Sequence, residues 1–187
     1  MKNFYAKAGG ILIGTEMALH YIHEPIENSV IASMDSLFSI PDFKINEKIM
    51  RLILRIRSLS YKQMILQTRN PEQKVFNYAI GGNLGLFYKD EIEDRKVFGY
   101  PPFSTMIKIS VVGKKEEITE KITWLESQFP DQDKYSYPAF GTKQKGQFIM
   151  NLLLKIVTDK WPVNEIVEKL KELPQEFIVK VDPESIL

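Results

Sequence analysis

Two consecutive prolines, Pro101 and Pro102, in the stretch "FGYPPF" constrain this chain more than any other feature. Proline fixes φ, has no amide hydrogen to donate, and drives the residue before it out of the helical region. The pair therefore ends any helix and stiffens the backbone. With 187 residues, the chain has room for a small core on either side. Residues 1–100 and 101–187 are read as two domains.

The first of these reads as α/β. Ile11–Ile13, Ser29–Ser33 and Met64–Gln67 are short apolar runs with the character of inner strands of a parallel sheet. Between the second and third, Ile45, Ile49, Leu52, Ile56 and Leu59 recur at steps of three and four, which puts them on one face of a helix. Pro71 suits the first position of a helix through Ile80. Asn83 suits the cap of another that runs to Phe98 and stops at Gly99.

The second part has a clearer rhythm. Ser104–Val112 reads as a strand, Lys114–Phe129 as an amphipathic helix, "YSYP" as a short strand and Gln147–Val157 as a long one. Pro162 then opens a helix to Leu173, and Phe177–Val181 alternates with period two. The order βαββαβ predicts a ferredoxin-like α+β domain, an antiparallel four-stranded sheet with two helices on one face. Such a platform specifies no chemistry by itself.

Composition excludes several classes of function. A formal net charge of +1 gives no global attraction to nucleic acid or membrane, so a charged partner must be met by a local patch. The absence of cysteine excludes disulfides and thiolate zinc sites and fits a reducing, cytoplasmic setting. No apolar run approaches the ~18 residues of a spanning helix, so no membrane partner is expected. The phosphate cradle G-x-x-x-x-G-K-[ST] is not found: Gly113-Lys114-Lys115 lacks the upstream glycine. "DEIED" (Asp90–Asp94) lies in a helical pattern and reads as a solvated face. His20 and His23 share a spacing but lack a third metal ligand. No catalytic residue, metal or cofactor is expected from these residues.

What stands out is cationic. Lys44, Lys48, Arg51, Arg55 and, where the helix continues, Lys62 recur at helical spacing beside the apolar stripe, with Arg57 nearby and Glu47 opposing. Such a ridge suits phosphates or an acidic peptide, and the same spacing also suits an exposed helix side kept wet by long cations. Lys143 and Lys145 sit between glycines in the connection between the two middle strands of the second domain, just ahead of Phe148. Cations beside an aromatic ring can hold single-stranded nucleic acid, although alternation also places Phe148 with Met150 and Leu152 in a core.

Five stretches, "ILIGTEM" (11–17), "DSLFSIPDF" (35–43), "LQTRNPE" (66–72), "RKVFGYPPF" (95–103) and "VDPESIL" (181–187), resemble the primosomal protein N′ (PriA) replication-restart helicases, in that family's order. The resemblance covers nearly the whole chain. It implies a partial RecA-like second helicase lobe followed by a small DNA-binding domain. Gly14 and Thr15 fall on helicase motif V, but His20-Tyr21 stands where the family carries a Lys-Gly pair. The family's Gln-x-x-Gly-Arg-x-Gly-Arg motif falls on residues 55–62. Arg55 takes the glutamine position, Ser58 and Tyr61 the glycines, and Leu59 and Lys62 the arginines. Leucine offers no donor to a departing phosphoryl group, and lysine lacks the planar fork. The first lobe, with its phosphate loop, has no counterpart in these residues.

The resemblance also implies docking of the acidic tail of the single-stranded DNA-binding protein at Gln147 and Asn151, with a glutamine where the family has an arginine. The implied partners are therefore DNA, single-stranded or forked, that tail protein, and other primosome components. The expected function is a non-catalytic DNA-binding or primosome-docking relative of the helicase. The alternative is the second lobe of a split ATP-dependent 3′–5′ DNA helicase, completed by a separately encoded ATP-binding lobe.

Overall fold

The computed structural model describes residues 2–6, 9–139, 147–157, 159 and 161–187. They form two compact units, Met1–Phe87 and Tyr88–Leu187. The division falls inside the helix that precedes the two prolines. No helix among the described residues is long and apolar enough to cross a membrane.

The first unit contains a short helix α1 (Lys2–Tyr5), a 3-10 turn (Glu16–Tyr21), strand β1 (Ile26–Ile31), a second 3-10 turn (Asp35–Ser39), helix α2 (Ile45–Leu59), strand β2 (Ser60–Leu66) and helix α3 (Lys74–Gly81). β1 and β2 make a parallel two-stranded sheet, in register from Asn28 opposite Gln63 to Ile31 opposite Leu66. The apolar stripe of α2 turns Ile49, Met50 and Ile53 into a core with Ile31, Met34 and Phe76. At the start of α2 the Asp42 carboxylate, 4% exposed, accepts hydrogen bonds from the Lys44 amide (3.0 Å) and the Lys48 ammonium (2.6 Å). A carboxylate at a helix N-terminus satisfies an orphan donor and opposes the positive end of the helix dipole.

Three expectations are corrected in this unit. Ile11–Ile13 is no strand: no ladder joins it to β1 or β2, and Ile11 and Ile13 are 87% and 92% exposed. Three apolar residues do not specify a strand without a neighbour to pair with. The helix does not continue to Lys62, because β2 begins at once after Leu59 and pairs with β1. Ser60 fixes that switch, its hydroxyl donating to the Ile56 carbonyl at 2.9 Å while lying 2.5 Å from the Ser29 hydroxyl. Pro71 does not open α3, which starts at Lys74. Asp35 holds the segment before it, accepting from the Thr68 hydroxyl (2.7 Å) and the Arg69 amide (3.2 Å), and this turn delays the helix.

Helix α4 (Leu84–Val97) follows the sequence closely. The Asn83 side chain accepts the Leu86 amide at 3.1 Å, and Gly99, at φ 60°, supplies the left-handed residue beyond its end. In the second unit, the Arg95 guanidinium joins Glu91 and the Pro101 carbonyl, each at 3.3 Å, and so ties α4 to the proline turn.

The remaining elements are β3 (Ser104–Gly113), α5 (Lys115–Gln128), β4 (Asp133–Pro138), β5 (Phe148–Val157), α6 (Asn164–Glu172) and β6 (Phe177–Val181). Their strands form one antiparallel sheet in the order β4-β5-β3-β6. The chain is thus a mixed α/β protein with a parallel pair in one unit and an antiparallel four-stranded sheet in the other. Ile107, Ile109 and Val111 of β3 and Leu152 and Leu154 of β5 pack with Ile118, Ile122 and Leu125 of α5 and Ile166 of α6. Alternation sends Lys108, Ser110, Asn151, Leu153 and Lys155 to the opposite face. There residues 185–187 lie against the sheet: the Lys108 ammonium donates to the carbonyls of Ser185 (3.0 Å) and Leu187 (2.6 Å), and the Tyr137 hydroxyl donates to the Ile186 carbonyl. Phe148, at the strand end, is 39% exposed and not in the core that alternation suggested.

Two stability changes follow. Leu154→Ala, at a fully buried position, is expected to cost about 2–5 kcal/mol. Asp42→Ala, which orphans the Lys44 amide and the Lys48 ammonium, is expected to cost about 1–3 kcal/mol. Urea denaturation followed by circular dichroism measures both, and an Asp42→Ala curve superimposable on that of the parent would show that the carboxylate does not hold the start of α2.

Candidate nucleic-acid interface

Burial of Ile49, Met50 and Ile53 fixes which way the rest of α2 points. Lys44, Lys48, Arg51 and Arg55 are separated by four, three and four residues, so they run down one side of the helix over about 16 Å at 1.5 Å per residue. Arg51 and Arg55 are exposed, and neither takes part in an ion pair among the described residues. The row is less uniform than the sequence suggests. Lys48 is bound to Asp42, with 44% of its side chain exposed, and Lys44 is half-buried with its ammonium 5.2 Å from the centre of the Phe43 ring. Asp42 is the member of this site that periodicity did not single out. Its signal is positional, an acidic residue just ahead of a helix start.

The other two cations of the ridge go elsewhere. Arg57 donates to the Ala79 carbonyl at 3.0 Å and is held towards α3. Lys62 lies on β2 and pairs with Glu27 of β1 at 2.6 Å; that hydrogen bond and the carboxylate's charge raise the lysine's pKa. Arg57 and Lys62 line a cavity of about 350 Å³ floored by Ile53, Met64, Phe76 and Ala79. They are not a continuation of the Lys44–Arg55 row.

Gly14 and Thr15 precede the first 3-10 turn, where the Thr15 carbonyl accepts the Ala18 amide at 2.9 Å. A Cβ on Gly14 would lie 2.7 Å from that of Ala18, so this turn admits glycine for steric reasons alone. Leu59 ends α2 half-buried. His20 and His23 are exposed, and no group of three His, Cys, Asp or Glu among the described residues is placed to hold a metal.

In the second unit, Gln147 is exposed ahead of β5, whereas Asn151 is 2% exposed. Its carbonyl oxygen accepts the Ser110 hydroxyl at 2.7 Å, and its amide nitrogen has no hydrogen-bond partner among the described residues. Asn151 therefore sits beneath the surface rather than on it, and only Gln147 of the pair presents itself to a peptide. Lys143 and Lys145 lie outside the described residues.

No family model matches the chain. It is similar to the replication restart protein PriA of Chlamydia trachomatis, at 35% identity over 129 residues, 66% of this chain and 17% of that protein. It is similar to PriA of Thermotoga maritima, at 26% identity over 183 residues, 94% of this chain and 25% of that protein. PriA of Borreliella burgdorferi is 32% identical over 130 residues, 66% of this chain and 20% of that protein. The chain spans 17% to 25% of the length of these relatives. It is a homologue of the replication restart proteins PriA, equivalent to a part of them consistent with their C-terminal portion.

Proposed function

We propose that this chain works in replication restart as a DNA-docking element and makes its contact through the outward row of α2. Relationship to the PriA proteins supports the setting, and the single observation that carries the mode of contact is the exposed pair Arg51 and Arg55, four residues apart on one helix side. Two guanidinium groups so spaced can each take a phosphate of one backbone, and binding of that kind is indifferent to sequence and released by salt. Lys48 adds less than its formal charge because Asp42 already takes part of it. In this reading the first unit is a partial RecA-like lobe, and the second is a ferredoxin-like domain, as the βαββαβ element order and the sheet order β4-β5-β3-β6 suggest. Primosome components, including the tail of the single-stranded DNA-binding protein, are candidate partners at the exposed Gln147.

The split-helicase alternative has weaker support. Where the resemblance places an arginine finger, Leu59 has no donor, and the nearby Arg57 is already committed to the Ala79 carbonyl. Docking without hydrolysis is the simpler account of these side chains.

The test is a titration of labelled single-stranded and forked DNA over a range of salt concentrations. Binding that weakens steeply with salt is expected. Arg51→Glu plus Arg55→Glu should weaken it at least tenfold at low salt and lower the logarithmic salt slope by about 1.4, the value for two phosphate contacts on a single strand. Unchanged affinity in that variant would reduce the row to a solvated helix side.

A further inference from the structure

The second unit carries a cluster that the sequence did not single out, at the end of its helix-free sheet face left open by residues 185–187. The Lys155 ammonium lies 4.4 Å from the centre of the Tyr100 ring and 5.5 Å from that of Tyr135, and it donates to the Phe98 carbonyl at 3.2 Å. The Phe98 and Tyr100 rings are 6.1 Å apart and tilted by 37°. Phe98 is 61% exposed and Tyr135 53%. Tyr135 sits opposite Leu153 in the β4–β5 ladder, so it shares a face with Lys155, two residues further along β5. The Asp133 carboxylate accepts the Tyr135 hydroxyl, and this hydrogen bond and the carboxylate's charge raise the phenol's pKa.

We propose that Phe98 and Tyr135, with Lys155 near by, form a base-stacking site for single-stranded nucleic acid. Large aromatic rings half or more exposed are costly to leave against water, and nucleobases are flat partners able to cover them whatever the sequence. Lys155 supplies the other half of the recognition. Its ammonium faces the Tyr100 and Tyr135 rings and the Phe98 carbonyl, with Asp133 opposite Lys155 in the β4–β5 ladder, and a phosphate oxygen would share its remaining positive charge. The backbone that carries Phe98 and Tyr100 is hydrogen-bonded within its own turn. The Tyr100 amide donates to the Arg95 carbonyl at 2.8 Å, the Phe103 amide to the Tyr100 carbonyl at 3.0 Å, and the Ser104 hydroxyl to the Gly99 carbonyl at 2.6 Å. A four-stranded antiparallel sheet with helices on one face and aromatics on the other is an arrangement that other proteins use to stack unpaired bases.

This site rests on the DNA-binding reading above but differs from the α2 row in what it senses: α2 offers charge alone, whereas this cluster requires a base. The decisive probe is therefore a pair of labelled oligonucleotides about 12 nucleotides long, one of thymidylate and one with the same backbone but no bases, measured by fluorescence anisotropy. The full chain is expected to bind the thymidylate strand at least about fivefold more tightly than the abasic one. Phe98→Ala plus Tyr135→Ala should abolish that difference while leaving the salt slope unchanged, and Phe98→Tyr plus Tyr135→Phe, which keeps both rings, should preserve it. Lys155→Gln should lower the salt slope by about 0.7. A preference for bases that survives loss of both rings, or no preference in the parent chain, would overturn the assignment and leave the patch to a protein partner, with the α2 reading intact. Failure to bind either oligonucleotide would overturn both.

Discussion

The burial of Ile49, Met50 and Ile53 is the constraint on which the proposed contact depends. An α-helix with one apolar stripe has no freedom to rotate about its axis once that stripe is in a core, so every other side chain has its direction set. Arg51 and Arg55 face outward because Met50 and Ile53 face in. A hydrophobic decision thus fixes an electrostatic one. Asp42 then modulates it: a buried carboxylate at the start of α2 both caps the helix and draws Lys48 towards the protein, which shifts the accessible charge down the helix to the two arginines.

The sheet of the second unit divides its labour by face. One side is filled by α5 and α6 on Ile107, Ile109, Leu152 and Leu154. The other mixes buried apolar residues, Met106 and Leu153, with Lys108, Ser110, Asn151 and Lys155. Part of that face is closed by residues 185–187, whose carbonyls satisfy Lys108 at a position only 9% exposed. A buried ammonium without such partners would be strongly destabilising. At the end near Lys155 the Tyr135 and Phe98 rings are exposed.

Sequence reasoning succeeded where a pattern is long and self-consistent. The fifteen residues of α2 repeat their stripe four times, and its ends were legible at Ile45 and Leu59. The order of strands and helices after the prolines was legible because β3, β5 and β6 each carry enough alternation or apolar length to stand alone. It failed where local sequence is short and neighbours decide. Ile11–Ile13 has strand-forming residues but no ladder. Lys62 has helical spacing from Arg55 but belongs to a strand, because the Ser60 hydroxyl and pairing with β1 compete for that backbone. Pro71 has the chemistry of a helix start, yet Asp35, more than thirty residues earlier, holds the loop in another shape. Within the candidate site, periodicity found Arg51 and Arg55, whereas Asp42's grip on Lys48 and Arg57's on Ala79 are contacts that spacing does not encode. The cluster of Phe98, Tyr100, Tyr135 and Lys155 was invisible for the same reason: three separate segments supply it, the β4–β5 ladder setting Tyr135 beside Lys155 and the Lys155 ammonium reaching the Phe98 carbonyl and the Tyr100 ring.

A chain of nearly zero net charge has to make any contact with a polyanion locally, and the two proposed contacts would do this by different physics. Charge on α2 gains from release of counterions and fades as salt rises. Rings at the sheet end gain from stacking and loss of apolar surface, which salt hardly screens. Duplex DNA offers the proposed ring site nothing, because its bases are already stacked, so that site, as proposed, would favour strands that have come apart. That preference would arise without any nucleotide chemistry, from the placement of two rings beside a lysine.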